Sequence, residues 1–156
     1  MSVLSLPHLL IEEYVRGALR EDLGRAGDIT SGSLIPPSQT WKAKLVARQE
    51  GVIAGLAFAE AAFKLMDQSI SFDAKHKDGD KVEACSVLAH IAGPAVPMLA
   101  AERTALNFMS HLCGIASLTN CYVKAAQPHK AKICCTRKTM PGLRMAEKYA
   151  VRAGGG

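Results

Sequence analysis

Thr136-Arg137-Lys138-Thr139-Met140-Pro141-Gly142-Leu143-Arg144 gathers two hydroxyls, three cations and a Pro-Gly turn into nine residues. A short apolar run, Ala131 to Cys135, precedes it, and a helix-like segment, Met145 to Ala153, follows. A turn between such segments offers side-chain donors, backbone N–H groups and a helix N-terminus to an anion. Arg137 can fork onto a carboxylate or phosphate, and Lys138 can act as a compact point charge. Residues 128–156 hold seven Lys and Arg against one acid, whereas residues 1–127 hold twelve against thirteen. The whole excess of +5 therefore lies in the last segment. A basic strand end with a solvated helix face would give the same charge run.

The elements that must position this turn are legible in order. Leu6 to Leu23 reads as an amphipathic helix with Leu10, Tyr14, Ala18 and Leu19 on one side; Pro7 suits its first turn and Gly24 its end. The loop Arg25 to Ser33 carries Asp28 and Thr30, and a turn or cap role for Asp28 is the plainer one. Lys42 to Gln49 alternates as a half-buried strand, and Val52 to Ala54 continues in strand-like residues. Leu56 to Met66 is a second helix, rich in Ala and Phe. Ser69 to Lys75 alternates again, Asp78-Gly79-Asp80 is a turn signal, and Val82 and Val87 to Ile91 are further strand segments ended by Gly93-Pro94. The strand–turn pattern of residues 69–93 is similar to that of small biotin- or lipoate-carrying modules, but it lacks their lysine-bearing tip.

Pro97 to Leu112 reads as a long helix with Leu99, Leu106, Met109 and Leu112 in the core, a break at Gly114, and a further helix from Ile115 to Ala126. Arg103 and Asn107 lie one turn apart and can face the same way. By itself Arg103 fits a solvated position or a local pair with an acid such as Glu102. His8, His76, His90, His111 and His129 are scattered, each fitting a surface or satisfied core histidine better than a catalytic base. Gly154-Gly155-Gly156 could cradle a phosphate or form a flexible tail. No metalloprotease, nucleophile-elbow or Walker A string occurs.

Composition bounds the rest. A chain of 156 residues supports one ordinary domain with a real core, and 49% apolar with 21% charged residues is globular. No apolar run reaches the roughly 20 residues a membrane span needs. Residues 1–10 show no basic region ahead of a long apolar stretch, unlike a secretory leader. Cys85, Cys113, Cys121, Cys134 and Cys135 form no C-x-x-C pair, and they read as reduced and mostly buried, without a metal. These features point to the cytoplasm, with neither nucleic acid nor membrane as a partner.

Three strings, in order along the chain, resemble the quinolinate phosphoribosyltransferase family, also called carboxylating nicotinate-nucleotide pyrophosphorylases. They are Leu19-Arg20-Glu21-Asp22-Leu23-Gly24 with Gly27-Asp28-Ile29-Thr30-Ser31; Glu102-Arg103-Thr104-Ala105-Leu106-Asn107 with Cys113-Gly114-Ile115-Ala116-Ser117; and Thr136-Arg137-Lys138-Thr139 with Pro141-Gly142-Leu143-Arg144, Glu147-Lys148-Tyr149-Ala150-Val151 and Gly154-Gly155-Gly156. The resemblance implies an α+β N-terminal sandwich domain with an interface helix (residues 1–112), followed by a linker helix and the first β-α unit of an α/β barrel of parallel strands (113–156). It implies transfer of a phosphoribosyl group from phosphoribosyl pyrophosphate to the ring nitrogen of quinolinate with loss of carbon dioxide, giving nicotinate mononucleotide and pyrophosphate for NAD biosynthesis.

The resemblance further implies that Arg137 and Lys138 bind quinolinate and phosphate, with Lys138 the catalytic cation and Thr136 and Thr139 framing them. It makes Arg103 an arginine given across a homodimer, or a higher even oligomer, to the partner's site, and Gly154 to Gly156 a phosphate loop. Both substrates are polyanions, so several cations must offset their mutual repulsion. Departure of pyrophosphate would be helped by Mg2+ carried on the diphosphate. The family continues past the triple glycine through its acidic metal-binding residues, which are absent from these 156. The barrel is thus expected to be cut after its first strand and helix, and the chain alone to lack useful turnover. The alternative is a non-catalytic dimerising or anion-binding module built on the same fold.

Overall fold

The computed structural model describes residues 5–156; residues 1–4, at the start of the stretch read above for a leader, lie outside the described residues. Five helices and five short strands follow one another: α1 (His8–Leu23), α2 (Ile29–Leu34), β1 (Thr40–Val46), β2 (Gly51–Val52), α3 (Leu56–Met66), β3 (Ser71–Ala74), β4 (Lys81–Val82), β5 (Val87–Pro94), α4 (Ala95–Ala125) and α5 (Arg144–Ala153).

The first helix obeys its apolar period, one residue out of phase. Ile11, Val15 and Leu19 form the buried stripe, and Tyr14 and Ala18 flank it. Pro7 occupies the N-cap, and Gly24, at φ 54°, closes the last turn with its N–H on the Arg20 carbonyl. The expected loop at 25–33 contains the short helix α2. Asp28 caps it by accepting the Ser31 N–H at 2.9 Å, and hydrogen bonding from the Ser31 side chain and then its N–H holds the carboxyl below the usual carboxylate range.

The strands make two antiparallel sheets. β5 lies between β1 and β3, pairing Ala43 with Ile91 and Phe72 with Ile91, and β2 pairs β4. Gly93 lets β5 pass Ile70 closely, since a Cβ there would stand 2.8 Å from Ile70 Cγ1. β1 is far more exposed than its alternation suggests, with only Leu45 half-buried among its seven residues.

Phe58 of α3 anchors the core at 1% exposure, with Phe108 of α4 at 5.1 Å and Tyr14 of α1 at 6.2 Å between ring centroids. Burying such a ring stabilises by roughly 1.5–3 kcal/mol. Gly55 precedes α3 with φ 102°, where any Cβ would meet Leu112 Cδ1 at 2.9 Å. The N-terminus of α3 is capped from a distance, Asp78 accepting from Gly55 N at 2.9 Å and Leu56 N at 3.1 Å.

Three expectations fail in the second half. The break at Gly114 does not exist: α4 runs unbroken for 31 residues. A mid-helix glycine costs about 1 kcal/mol relative to alanine. Its neighbours compensate by bonding the β2 region: Ser117 Oγ accepts the Val52 N–H at 2.9 Å, and Cys113 Sγ accepts that of Ala54 at 3.3 Å. The core face of α4 is also rotated. Ala101, Ala105, Phe108, Met109 and Leu112 are buried, while Leu99 and Leu106 are half-buried beside an open groove. Residues 131–135 form no ladder, and both sheets of the described residues are antiparallel. A strand exists only through a partner, and no described segment pairs with this one.

Candidate functional site

The turn from Thr136 to Leu143 is built by local bonds. Thr136 Oγ1 accepts the Lys138 N–H at 3.0 Å, and the Thr139 N–H donates to the Arg137 carbonyl at 3.0 Å. Leu143 N–H donates to the Met140 carbonyl at 3.1 Å across Pro141-Gly142, and Gly142 has φ 84°. Proline followed by a positive-φ glycine is the pattern of a type II turn. Arg144 Nε donates to Thr139 Oγ1 at 3.1 Å. Each threonine hydroxyl thus accepts internally and keeps its own O–H to donate.

Thr136, Lys138 and Thr139 line one cavity of about 390 Å³, together with Cys135, His111 of α4 and Glu147 and Lys148 of α5. Glu147 Oε1 lies 3.0 Å from His111 Nε2, and its Oε2 accepts the Met140 N–H at 3.2 Å. Arg137 is exposed on the same turn but is not part of the cavity wall. Among the described residues Arg103, Arg137 and Lys138 make no ion pair, so all three cations are open to an anion.

Arg103 stands elsewhere. With Asn107, Glu102 and Leu106 it lines a groove of about 1180 Å³ between α4 and the exposed face of β1. Within this chain, therefore, Arg103 and the turn do not share a site. Gly154 to Gly156 join neither. Their N–H groups donate to the Ala150, Arg152 and Val151 carbonyls of α5. Gly154 is buried against α4, where a Cβ would stand 2.4 Å from the Ala116 carbonyl oxygen. Close helix packing accounts for the first glycine, and all three amides are bonded within α5.

Below the turn, α5 is tied to the first half of the chain. Tyr149 Oη donates to Asp78 Oδ2 at 2.6 Å, the same carboxylate that caps α3. Burial, then the bond to Asp78, push the Tyr149 phenol well above its usual range. The thiols depart from expectation. All five are free, but Cys85, Cys121, Cys134 and Cys135 are exposed and Cys113 is half-buried; burial pushes the Cys113 thiol up. Sequence reading passed over His111 and Glu147 as site residues. The four-residue spacing Arg103–Asn107–His111 on one helix was the available signal for the first. Nothing local marked the second.

The fold and the turn together define an α+β protein with a basic, hydroxyl-bearing turn at the head of a helix. The N-terminal domain pattern of quinolinate phosphoribosyl transferase matches residues 28–113, and the C-terminal domain pattern matches residues 115–156. The chain belongs to the quinolinate phosphoribosyl transferase family. It is 43% identical over 149 residues to a probable carboxylating nicotinate-nucleotide pyrophosphorylase of Bacillus subtilis, covering 96% of this chain and 51% of that protein. It is 42% identical over 146 residues to a decarboxylating quinolinate phosphoribosyltransferase of Nicotiana tabacum, covering 94% and 41%. Its fold is similar to the crystal structure of NadC from Streptococcus pyogenes, with TM-score 0.94 and 39% identity over 98% of this chain and 54% of that one. The nicotinate-nucleotide pyrophosphorylase of Francisella tularensis gives TM-score 0.92 at 36% identity, covering 100% and 55%. The chain spans about half the length of these relatives.

Proposed function

We propose that this chain carries the N-terminal domain and part of the active site of a decarboxylating quinolinate phosphoribosyltransferase. The observation that carries the reading is the Thr136–Arg144 turn: a family string whose Lys138, Thr136 and Thr139 converge on one cavity. Arg137 forks onto a carboxylate of quinolinate, and Lys138 spans carboxylate and phosphoribosyl diphosphate as the cation nearest the reacting centre. The threonine O–H groups donate to the phosphate oxygens. Residues 131–135 and α5 take the place of the barrel's first β-α unit, the former becoming a strand only when a neighbouring strand pairs with it, and the domain division at 112/113 falls inside α4, which then serves as a rigid bridge. A cytoplasmic location belongs to the same reading; among the described residues no helix is long and apolar enough to cross a membrane.

Arg103 acts in a second copy. The groove it lines, beside the exposed sheet face, receives the partner and places the guanidinium over the partner's turn. Mg2+ travels with the diphosphate. Carried there, it would help the pyrophosphate depart.

The test is quinolinate binding by calorimetry to the wild-type chain and to Arg137→Lys. Losing the fork is expected to weaken binding by roughly 1.5–3 kcal/mol. Equal affinity would defeat the assignment of Arg137. Carbon dioxide release from carboxyl-labelled quinolinate, with phosphoribosyl pyrophosphate and magnesium, reads turnover directly.

A further inference from the structure

We propose that Glu147 is the positioning residue of the anion-binding turn, holding it against α4 through His111; this rests on the anion-site reading of that turn. An acid on the wall of an anion site opposes its purpose unless both oxygens are committed. Here they are: Oε2 takes the Met140 N–H at 3.2 Å and Oε1 faces His111 Nε2 at 3.0 Å. The Glu147 side chain is 13% exposed, against 38% for His111.

The other hydrogen bonds of residues 136–143 stay within the turn or reach only the start of α5. Among the described side-chain bonds, only the path Met140–Glu147–His111 connects the turn to α4. His111 is a firm anchor because Leu112, next to it, is fully buried. Glu147 is suited to its place for a second reason. It lies in the first turn of α5, whose N-cap Leu143 gives no side-chain cap, and a carboxylate there complements the exposed helix amides.

Two lysines, Lys138 from the turn and Lys148 from α5, face the same cavity, and Arg144 is turned onto Thr139. With Glu147 held by Met140 and His111, Lys138 is not drawn into an internal pair and stays presented to ligand. Glu147 thus converts the rigidity of α4 into a fixed orientation of the turn, lowering the ordering cost that binding would otherwise meet.

The test combines amide hydrogen exchange at Met140 with pyrophosphate titration, using the full 156-residue chain. In Glu147→Ala the Met140 amide is expected to exchange about tenfold faster as its bond is lost. Pyrophosphate should bind about fivefold more weakly as preorganisation is lost. Glu147→Gln keeps an acceptor for Met140 and an amide to face His111 Nε2, and should restore both within about twofold. Lys138→Ala should lose pyrophosphate binding while leaving Met140 exchange unchanged. Unchanged Met140 exchange in Glu147→Ala overturns the proposal, whatever happens to binding. Should that variant fail to fold, His111→Ala decides: faster Met140 exchange supports the latch and unchanged exchange overturns it. A wild-type chain that binds no pyrophosphate would sink the anion-site reading, while the exchange arm would still decide the role of Glu147.

Discussion

The two ends of the last segment are held in opposite ways. The C-terminal part of α5 is seated in the body of the protein: Ala146, Tyr149, Ala150 and Ala153 are buried, Gly154 touches the α4 backbone, and Tyr149 is bonded to Asp78. The turn before α5 is mostly exposed and is held by a handful of hydrogen bonds, with one route to a core helix. The first arrangement resists substitution through packing. The second leaves Arg137 and Lys138 without an ion pair and the threonine O–H groups able to donate, so substitutions there should change binding while hardly moving stability. Such separation lets a binding turn be built of residues that contribute little to folding.

The sharpest way to break the comparison is Gly154→Val. Its side chain would drive into the Ala116 carbonyl and Thr119 on α4. Overpacking against backbone is expected to cost about 3 kcal/mol in denaturant unfolding. A loss of under about 0.5 kcal/mol, typical of surface sites, would mean that α5 is not seated as described.

Arg137→Lys is the converse. The binding loss given above should come with a stability change within about 0.5 kcal/mol, as expected for an exposed side chain. A fall in the unfolding midpoint matching the loss of affinity would erase the distinction between the two regions.

Tyr149→Phe is expected to cost about 1–2 kcal/mol, because it leaves the half-buried Asp78 oxygen short of a donor. It also has a pH signature. A free phenol ionises near pH 10, and in the folded chain burial and Asp78 keep the proton on Tyr149. The stabilisation is complete below about pH 10 and is lost as pH rises toward the higher folded value, since only the unfolded chain gives up the proton first. Stability measured from pH 8 to 11 should fall more steeply for wild type than for Tyr149→Phe. Parallel curves would remove Tyr149 from the seam.

The smallest effect is expected at Asp28→Ala. Loss of the α2 cap should cost up to about 1 kcal/mol. The folded carboxyl is held low, so its stabilisation is present above the ordinary carboxylate range and fades as pH falls through the folded value. Pyrophosphate binding should not change. A change there would couple α2 to the turn, which the packing does not suggest.

Much of the architecture was readable without coordinates. Apolar period and punctuation placed α1, α3 and α5 and marked every strand segment of the two sheets. Leu56–Met66 was bounded correctly because Gly55 and Asp67 flank an uninterrupted run of helix formers. The reading failed where a local signal was overruled by packing. Gly114 looks like a helix end, but Cys113 and Ser117 fasten α4 to the strand beside it.

The site divides in the same way. Types and spacing alone marked the Thr136–Thr139 turn as a candidate anion site, because hydroxyls, cations and a Pro-Gly corner within nine residues carry their chemistry wherever they fold. Which of them share a cavity, and that His111 from 25 or more residues earlier in the chain joins them, depended on how α4 and α5 cross. The stranding of Arg103 in a separate groove was likewise decided by packing. Sequence determines local conformation and chemical kind through short-range sterics and functional groups. The meeting of distant side chains depends on the register of helices across a shared core, which only the tertiary structure sets.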